Sequence, residues 1–264
     1  MRAAARMGET MIIDLHSHYF PLDVLRGSPD GPAKILEETA DSIRLSFAGS
    51  TLSLEWDLFD LERQLAALRR QRLDRRVLAP PPFTILYELP AADGIAWARA
   101  VNDGTLQAAQ AHPDEFIGFA TVPLQDVNAS VEEVRRAASI GLQGVTILTN
   151  IDGRGLDDPN LDPFWSAVES LGFPILIHPH NVAGADRMGS YYLRNLVGNP
   201  VETALAGARL IFGGVLERHP KLNIILSHGG GALPHLIGRL RHGYEVRPEA
   251  RERAEAPFDA LRRL

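Results

Sequence analysis

The segment Asp14-Leu15-His16-Ser17-His18, which closes the apolar run Met11-Ile12-Ile13, constrains this chain more than any other. Successive side chains of a strand alternate between its faces, so His16 and His18 project to one side with Asp14 one step behind. Two imidazoles on one face at a strand's C-terminal end can grip a single cation if partners arrive from elsewhere. Two further apolar runs offer them: residues 174–178 end in His178, and residues 222–228 end in His228. The fold must therefore gather distant strand ends at one place, which parallel strands alternating with helices do.

Six runs read as strands: Met11 to His18, Arg75 to Ala79, Phe116 to Val122, Gly144 to Leu148, Pro174 to His178, and Leu222 to Ser227. Most are short and continuously apolar, as expected of parallel strands covered on both faces. Helical signals lie between them. Ser130 and Glu133 form a capping box for a helix that Gly141 ends. Asp162 is placed to cap the next, with Pro163 at its first position, Phe164, Val168 and Leu171 on one face, and Gly172 as its stop. Pro234 opens another, with Leu233, Leu236, Ile237 and Leu240 as its apolar stripe. This alternation predicts an α/β chain, a (β/α)8 TIM barrel in a single domain over residues 11–264, with residues 1–10 as a disordered leader. A closed barrel needs eight strands, and six are found, so the chain reads as truncated after its sixth β/α unit. Residues 19–73 hold an insertion. Within it Ile43, Leu45 and Phe47, then Leu52, Leu54 and Trp56, alternate with polar residues about a turn at 48–50, the pattern of a hairpin. Such a hairpin is either a lid over the site or a surface decoration. Glu249 to Leu264 is charged and helical in pattern.

Composition excludes several functions. At 45% hydrophobic residues over 264, the chain can bury a substantial core, and a net charge of -6 argues against a broad nucleic-acid surface. There is no cysteine, so a metal must sit on His, Asp or Glu, and the cytoplasm is a compatible compartment. No run approaches the roughly 18 apolar residues of a membrane span.

Functional side chains of such a barrel belong at the C-terminal ends of strands, where His16, His18, His178 and His228 all fall. A bound divalent ion lowers the pKa of its water toward about 7. His228 is then placed to accept or donate the proton. His180 reads as a substrate contact or a support rather than a ligand, because three histidines and a carboxylate already fill a site. Gly229, Gly230 and Gly231 either let backbone approach a ligand or simply make a tight turn. Arg239 either meets a substrate carboxylate or is solvated. His112, His219, His235 and His242 read as surface or capping residues. Histidine and carboxylate ligands accept zinc and manganese alike.

Taken together, these motifs resemble the amidohydrolase-2 family, and within it most closely the 2-amino-3-carboxymuconate-6-semialdehyde decarboxylase group. The resemblance is carried by residues 14–18, Trp56-Asp57, residues 116–123, His178-Pro179, residues 213–222, residues 228–234 and Gly238-Arg239. It implies a distorted (β/α)8 barrel with a small insertion after the first strand. It implies Zn2+, or another divalent ion such as Mn2+, on His16, His18 and His178, with His228 as the acid/base residue. The implied activity is that of a carbon–carbon lyase decarboxylating a small unsaturated or aromatic carboxylic acid. Arg239 looks like the arginine that reaches a neighbouring subunit's substrate, which implies a homodimer. Three departures stand beside this. The family's aspartate ligand, in a Thr/Ser-Asp-Tyr-Pro-like segment, has no counterpart. The substrate-binding arginine before Trp-Asp is missing, with Arg44 the nearest candidate. His-Pro-Trp-Asp becomes His178-Pro179-His180-Asn181. A hydrolase of amides, esters or lactones, and an inactive fragment, are the alternative readings.

Overall fold

The apolar runs become strands only where a neighbour offers matching backbone. A computed structural model of the chain describes residues 11–27, 31–47, 50–255 and 258; the expected leader and the turn positions 48 and 49 lie outside them. The strands are β1 (Ile13–Asp14), β2 (Ala33–Glu38), β3 (Ser42–Phe47), β4 (Ser50–Glu55), β5 (Arg75–Leu78), β6 (Phe116–Gly118), β7 (Val145–Leu148), β8 (Asn150–Ile151), β9 (Arg154–Gly155), β10 (Pro174–His178) and β11 (Asn223–Leu226). The helices are α1 (Leu22–Gly27), α2 (Leu61–Gln71), α3 (Ala91–Ala111), α4 (Val127–Ile140), α5 (Asp162–Leu171), α6 (Asn199–Phe212), α7 (Val215–Arg218) and α8 (Leu233–Val246).

All six expected strands are present and parallel, in the orders β1-β5-β6 and β7-β10-β11. A bridge between Ala120 and Val145 joins the two sheets. Most are shorter than their runs. The first is the clearest case: β1 stops at Asp14, and pairing resumes only at His18, which bridges Ala79. Val77, Ala79, Ile117, Phe119 and Leu176 fill the concave side of the sheet, while Ile147, Trp165, Leu210 and their neighbours pack its outer side against α4, α5 and α6.

Helix starts differ from expectation. The helix after β6 begins at Val127, because Asp126, one turn upstream of Ser130, accepts from Ala129 N at 3.0 Å and caps it there. Ser130 lies inside the helix and donates to Asp126 O. Glu133 reaches no backbone N–H; it is buried and accepts from Arg99, Arg136 and Asn102. Asp162 is the first residue of α5 rather than its cap, and its carboxylate pairs with Arg218 at 3.0 Å. Gly141 and Gly172 end their helices in the left-handed conformation, as expected. Along the expected stripe of α8, Leu233 is buried but Leu236 is 38% exposed. Pro248–Arg251 is a 3-10 turn, so the expected helix from Glu249 is not continuous through the described residues. His219 caps the C-terminus of α7 but is buried, with Nε2 3.5 Å from Asp162.

The insertion carries the expected hairpin, β3 antiparallel to β4, plus a strand the alternation did not reveal: β2 pairs with β3 through a register shift near Ile35–Glu37. Phe20, Ile43, Leu45, Phe47 and Trp97 bind this sheet to α3.

Beneath the first strand lies a buried arginine. Arg76 donates to Asp14 at 3.1 Å, to Gln64 Oε1 at 2.9 Å and to Gln71. Gln64 in turn donates to the carbonyl of His18. The network ties the base of the histidine pair to α2. Arg76→Met removes the donor from Asp14 Oδ2, Gln64 Oε1 and Gln71 Oε1, and we expect a loss of about 2–4 kcal/mol in urea unfolding. A change below about 0.5 kcal/mol contradicts this account.

Candidate metal centre

His16, His18, His178 and His228 meet at the C-terminal ends of the parallel strands. The ring centroids lie 5.2 Å apart for His16 and His18, 5.0 Å for His16 and His178, and 4.9 Å for His18 and His178. His228 approaches His16 at 4.9 Å and His178 at 5.1 Å. The convergence follows from local chemistry. The Ser17 hydroxyl donates to Val77 O on β5, which turns its two flanking histidines the other way. Asp14 is not directed at the cluster: it accepts from His16 N and Arg76, so it orients the segment. His178 ends β10 in register with Leu148, and His228 lies two residues past β11.

Ligand nitrogens of His16, His18 and His178 all lie within 4.8 Å of one another. Nδ1 of His178 is 2.9 Å from Pro179 O, so the ring that donates there keeps a lone pair on Nε2. Nδ1 of His18 is buried without a hydrogen-bond partner among the described residues. Burial, reinforced by the neighbouring imidazoles, pushes His18 down to about 4 and His178 to about 2. Burial also lowers His16, against the pull of Asp14, and lowers His228 with help from His16. At neutral pH the cluster is thus a set of neutral donors, and an orphaned ring nitrogen is what a ligand presents to a cation. The residues present fit a divalent ion.

A cavity of about 1040 Å³ opens above the cluster, and Phe47, Ser50 and Leu52 of the insertion form part of its wall. The hairpin therefore borders the site and is not a remote decoration. His228 has φ 55°, a left-handed conformation for a non-glycine residue, and Gly229, Gly230 and Gly231 follow it with positive φ of 62°, 79° and 59°. This is the tight-turn reading of the three glycines.

The family model described as Amidohydrolase matches residues 13–261. The chain belongs to the amidohydrolase family. Among its relatives, the 2-amino-3-carboxymuconate-6-semialdehyde decarboxylase of Dictyostelium discoideum is 38% identical over 197 residues, which are 74% of this chain and 55% of that protein. A gamma-resorcylate decarboxylase of a Rhizobium species is 35% identical over 162 residues, 55% of this chain and 48% of its own length. The chain spans about half the length of these two curated relatives. In fold it is similar to a dihydroxybenzoic acid decarboxylase from Polaromonas sp. JS666, solved with bound manganese and the inhibitor 2-nitroresorcinol. That likeness has a TM-score of 0.75 at 21% identity and covers 97% of this chain and 77% of that one.

Within this amidohydrolase chain the two expected substrate contacts part company. His180 lines the histidine cavity, and burial and the charge of Arg194 lower its pKa. Arg239 does not line that cavity; it sits on α8 beside a separate one with Phe212, Leu240 and Arg247. Arg44 points away on the outer face of β3 and pairs with Glu37 at 3.1 Å. Three residues that the sequence did not single out matter here. Asn150, two residues past the end of β7 and the first of β8, donates to the carbonyl of His180 at 3.1 Å and to the buried Glu202 at 2.9 Å. Glu202 also accepts from Ala183 N, so α6 holds the loop after β10. Arg194 joins the cavity wall from that same loop region. Asn150 was legible from its place at a strand end; Glu202 and Arg194 carry no local signal.

Proposed function

We propose that the chain decarboxylates a small aromatic or unsaturated carboxylic acid with the help of a divalent ion held by His16, His18 and His178. The observation that carries this is the convergence of four neutral imidazoles on the floor of one cavity, in a chain whose more similar amidohydrolase relatives bear decarboxylase names. When bound, the ion, zinc or manganese, would supply Lewis-acid polarisation of a substrate oxygen. His228, neutral and adjoining His16, takes a proton and returns it to the ring or chain carbon as the carboxylate departs. The carbon–carbon bond breaks, carbon dioxide leaves, and the electron pair left on carbon takes that proton. The apolar wall of Phe47, Leu52, Leu58 and Phe83 shields the carbanion-like centre from water.

The proposal extends to a (β/α)8 barrel and to a cytoplasmic homodimer in which Arg239 serves the neighbour's site. Support for the dimer is the exposed position of Arg239 and the apolar surface of Tyr191, Tyr192, Leu196 and Val201 near the cavity mouth. No helix among the described residues is long and apolar enough to cross a membrane.

Carbon dioxide release decides the reading. The metal-supplemented chain, offered 2,6-dihydroxybenzoate, 6-methylsalicylate and a carboxymuconate-type acid, is expected to release one carbon dioxide per acid consumed. Hydrolysis of an ester or lactone panel with no release from any acid would overturn it.

A further inference from the structure

The decarboxylase reading leaves one cationic cavity residue unused. Arg194 is the single lysine or arginine lining the histidine cavity among the described residues. It opens a five-residue π-helix, Arg194–Gly198, that runs into α6. Its side chain is exposed at the rim, and among the described residues its guanidinium has no ion-pair or hydrogen-bond partner. Glu88 lines the same cavity without pairing to it. Arg194 shares the lining of this cavity with His180, Tyr192 and Asn195.

The carboxylate that is lost must lie at the floor, beside the imidazoles. An arginine at the rim is therefore placed for a different group. Arg44, the candidate suggested by sequence, is committed to Glu37 on the outer face of the insertion. The cavity, at about 1040 Å³, matches the upper end of the roughly 300–1,000 Å³ usual for small-molecule sites, more than a single ring with one carboxylate requires. A guanidinium offers a fork of donors suited to a carboxylate. Building on the decarboxylase reading, we infer that Arg194, on the cavity lining it shares with His180, binds a second acidic group that the substrate keeps. The substrate class is then a diacid, or a carboxylic acid with another anionic substituent, rather than a simple monoacid.

Binding separates this inference from the reaction itself. Calorimetric titration of the metal-supplemented chain with benzoate and with benzene-1,3-dicarboxylate compares one acidic group with two. The wild type is expected to bind the diacid about tenfold more tightly or better, as a charge-assisted contact provides. Arg194→Gln is expected to remove that preference by weakening the diacid about tenfold while benzoate stays within about twofold, and Arg194→Lys to restore part of it. Because the side chain is exposed, the melting temperatures of the three proteins should coincide. Equal weakening of both acids in Arg194→Gln, or no diacid preference in the wild type, overturns the inference. If the preference and its loss are seen but no acid releases carbon dioxide, the anion site stands and the decarboxylase reading falls. If monoacids release carbon dioxide and no diacid preference is seen, the reaction stands and the anion site falls.

Discussion

His178→Ala is expected to strip the chain of its divalent ion and of turnover together. The imidazole is 5% exposed, its Nδ1 is engaged by Pro179 O, and burial keeps it uncharged far below neutral pH. It thus reaches the cation pre-oriented and without a proton to displace. Loss of a mere supporting hydrogen bond to a metal ligand weakens binding about 10–100-fold, so removing the ligand should exceed about 100-fold. Competition against a chelator, followed by elemental analysis, measures it. His228→Gln supplies the contrast. His228 lies against the cluster without belonging to the three-histidine group, so that variant should keep its ion while turnover drops about 10²–10⁴-fold, the usual worth of general acid–base catalysis. A His178→Ala protein that holds metal as firmly as the wild type would remove the basis of the proposed chemistry.

The histidine cluster was legible because its signals are short and local. An HxH pair at a strand end, and two apolar runs that finish in histidine, specify direction and position through the period of two and the parallel sheet. The fold then needs only to curve. The same logic located all six parallel strands, because each apolar run is too short for a helix and alternates with helical segments. Helix starts were less legible: Asp126 and Ser130 both signal a cap, and only the packed structure shows that Glu133 is consumed by Arg99, Arg136 and Asn102. β2 escaped because Ala33–Glu38 does not alternate, with Ile35 and Leu36 adjacent, and is mostly exposed, so its pairing rests on backbone bonds to β3. Arg194 and Glu202 escaped for a different reason. Their importance comes from what the loop after β10 brings near, and no spacing in sequence encodes that.

Gly231→Ala is expected to be the most damaging single methyl in the described residues next to the site. Two separate effects add. At φ 59° and ψ -127° Gly231 holds a backbone conformation that glycine adopts and side-chain-bearing residues rarely do, which costs an alanine about 1–3 kcal/mol. Its Cβ would also lie 2.3 Å from Pro200 O, a backbone atom that cannot rotate away and that already accepts from Ala232 N at 3.0 Å. Forcing such an overlap typically adds about 1–3 kcal/mol. The total, about 2–6 kcal/mol, should lower the melting temperature by roughly 5–20 °C for a chain of this size. Gly229→Ala is the contrast, since Gly229 has φ 62° and ψ 30°, ordinary left-handed backbone, and nothing within 4 Å of the place a Cβ would take, so a conformational cost of about 1–2 kcal/mol alone should appear. The damage should also reach chemistry. Pro200 follows Asn199, which lines the cavity, and Gly231 closes the run that His228 begins. Pushing the α6 terminus away from this turn displaces the proton-carrying imidazole from His16 and His178, so Gly231→Ala should lose turnover even at temperatures where it remains folded. Equal melting temperatures for the two variants would show that the Pro200 contact yields freely and that the turn does not fix His228.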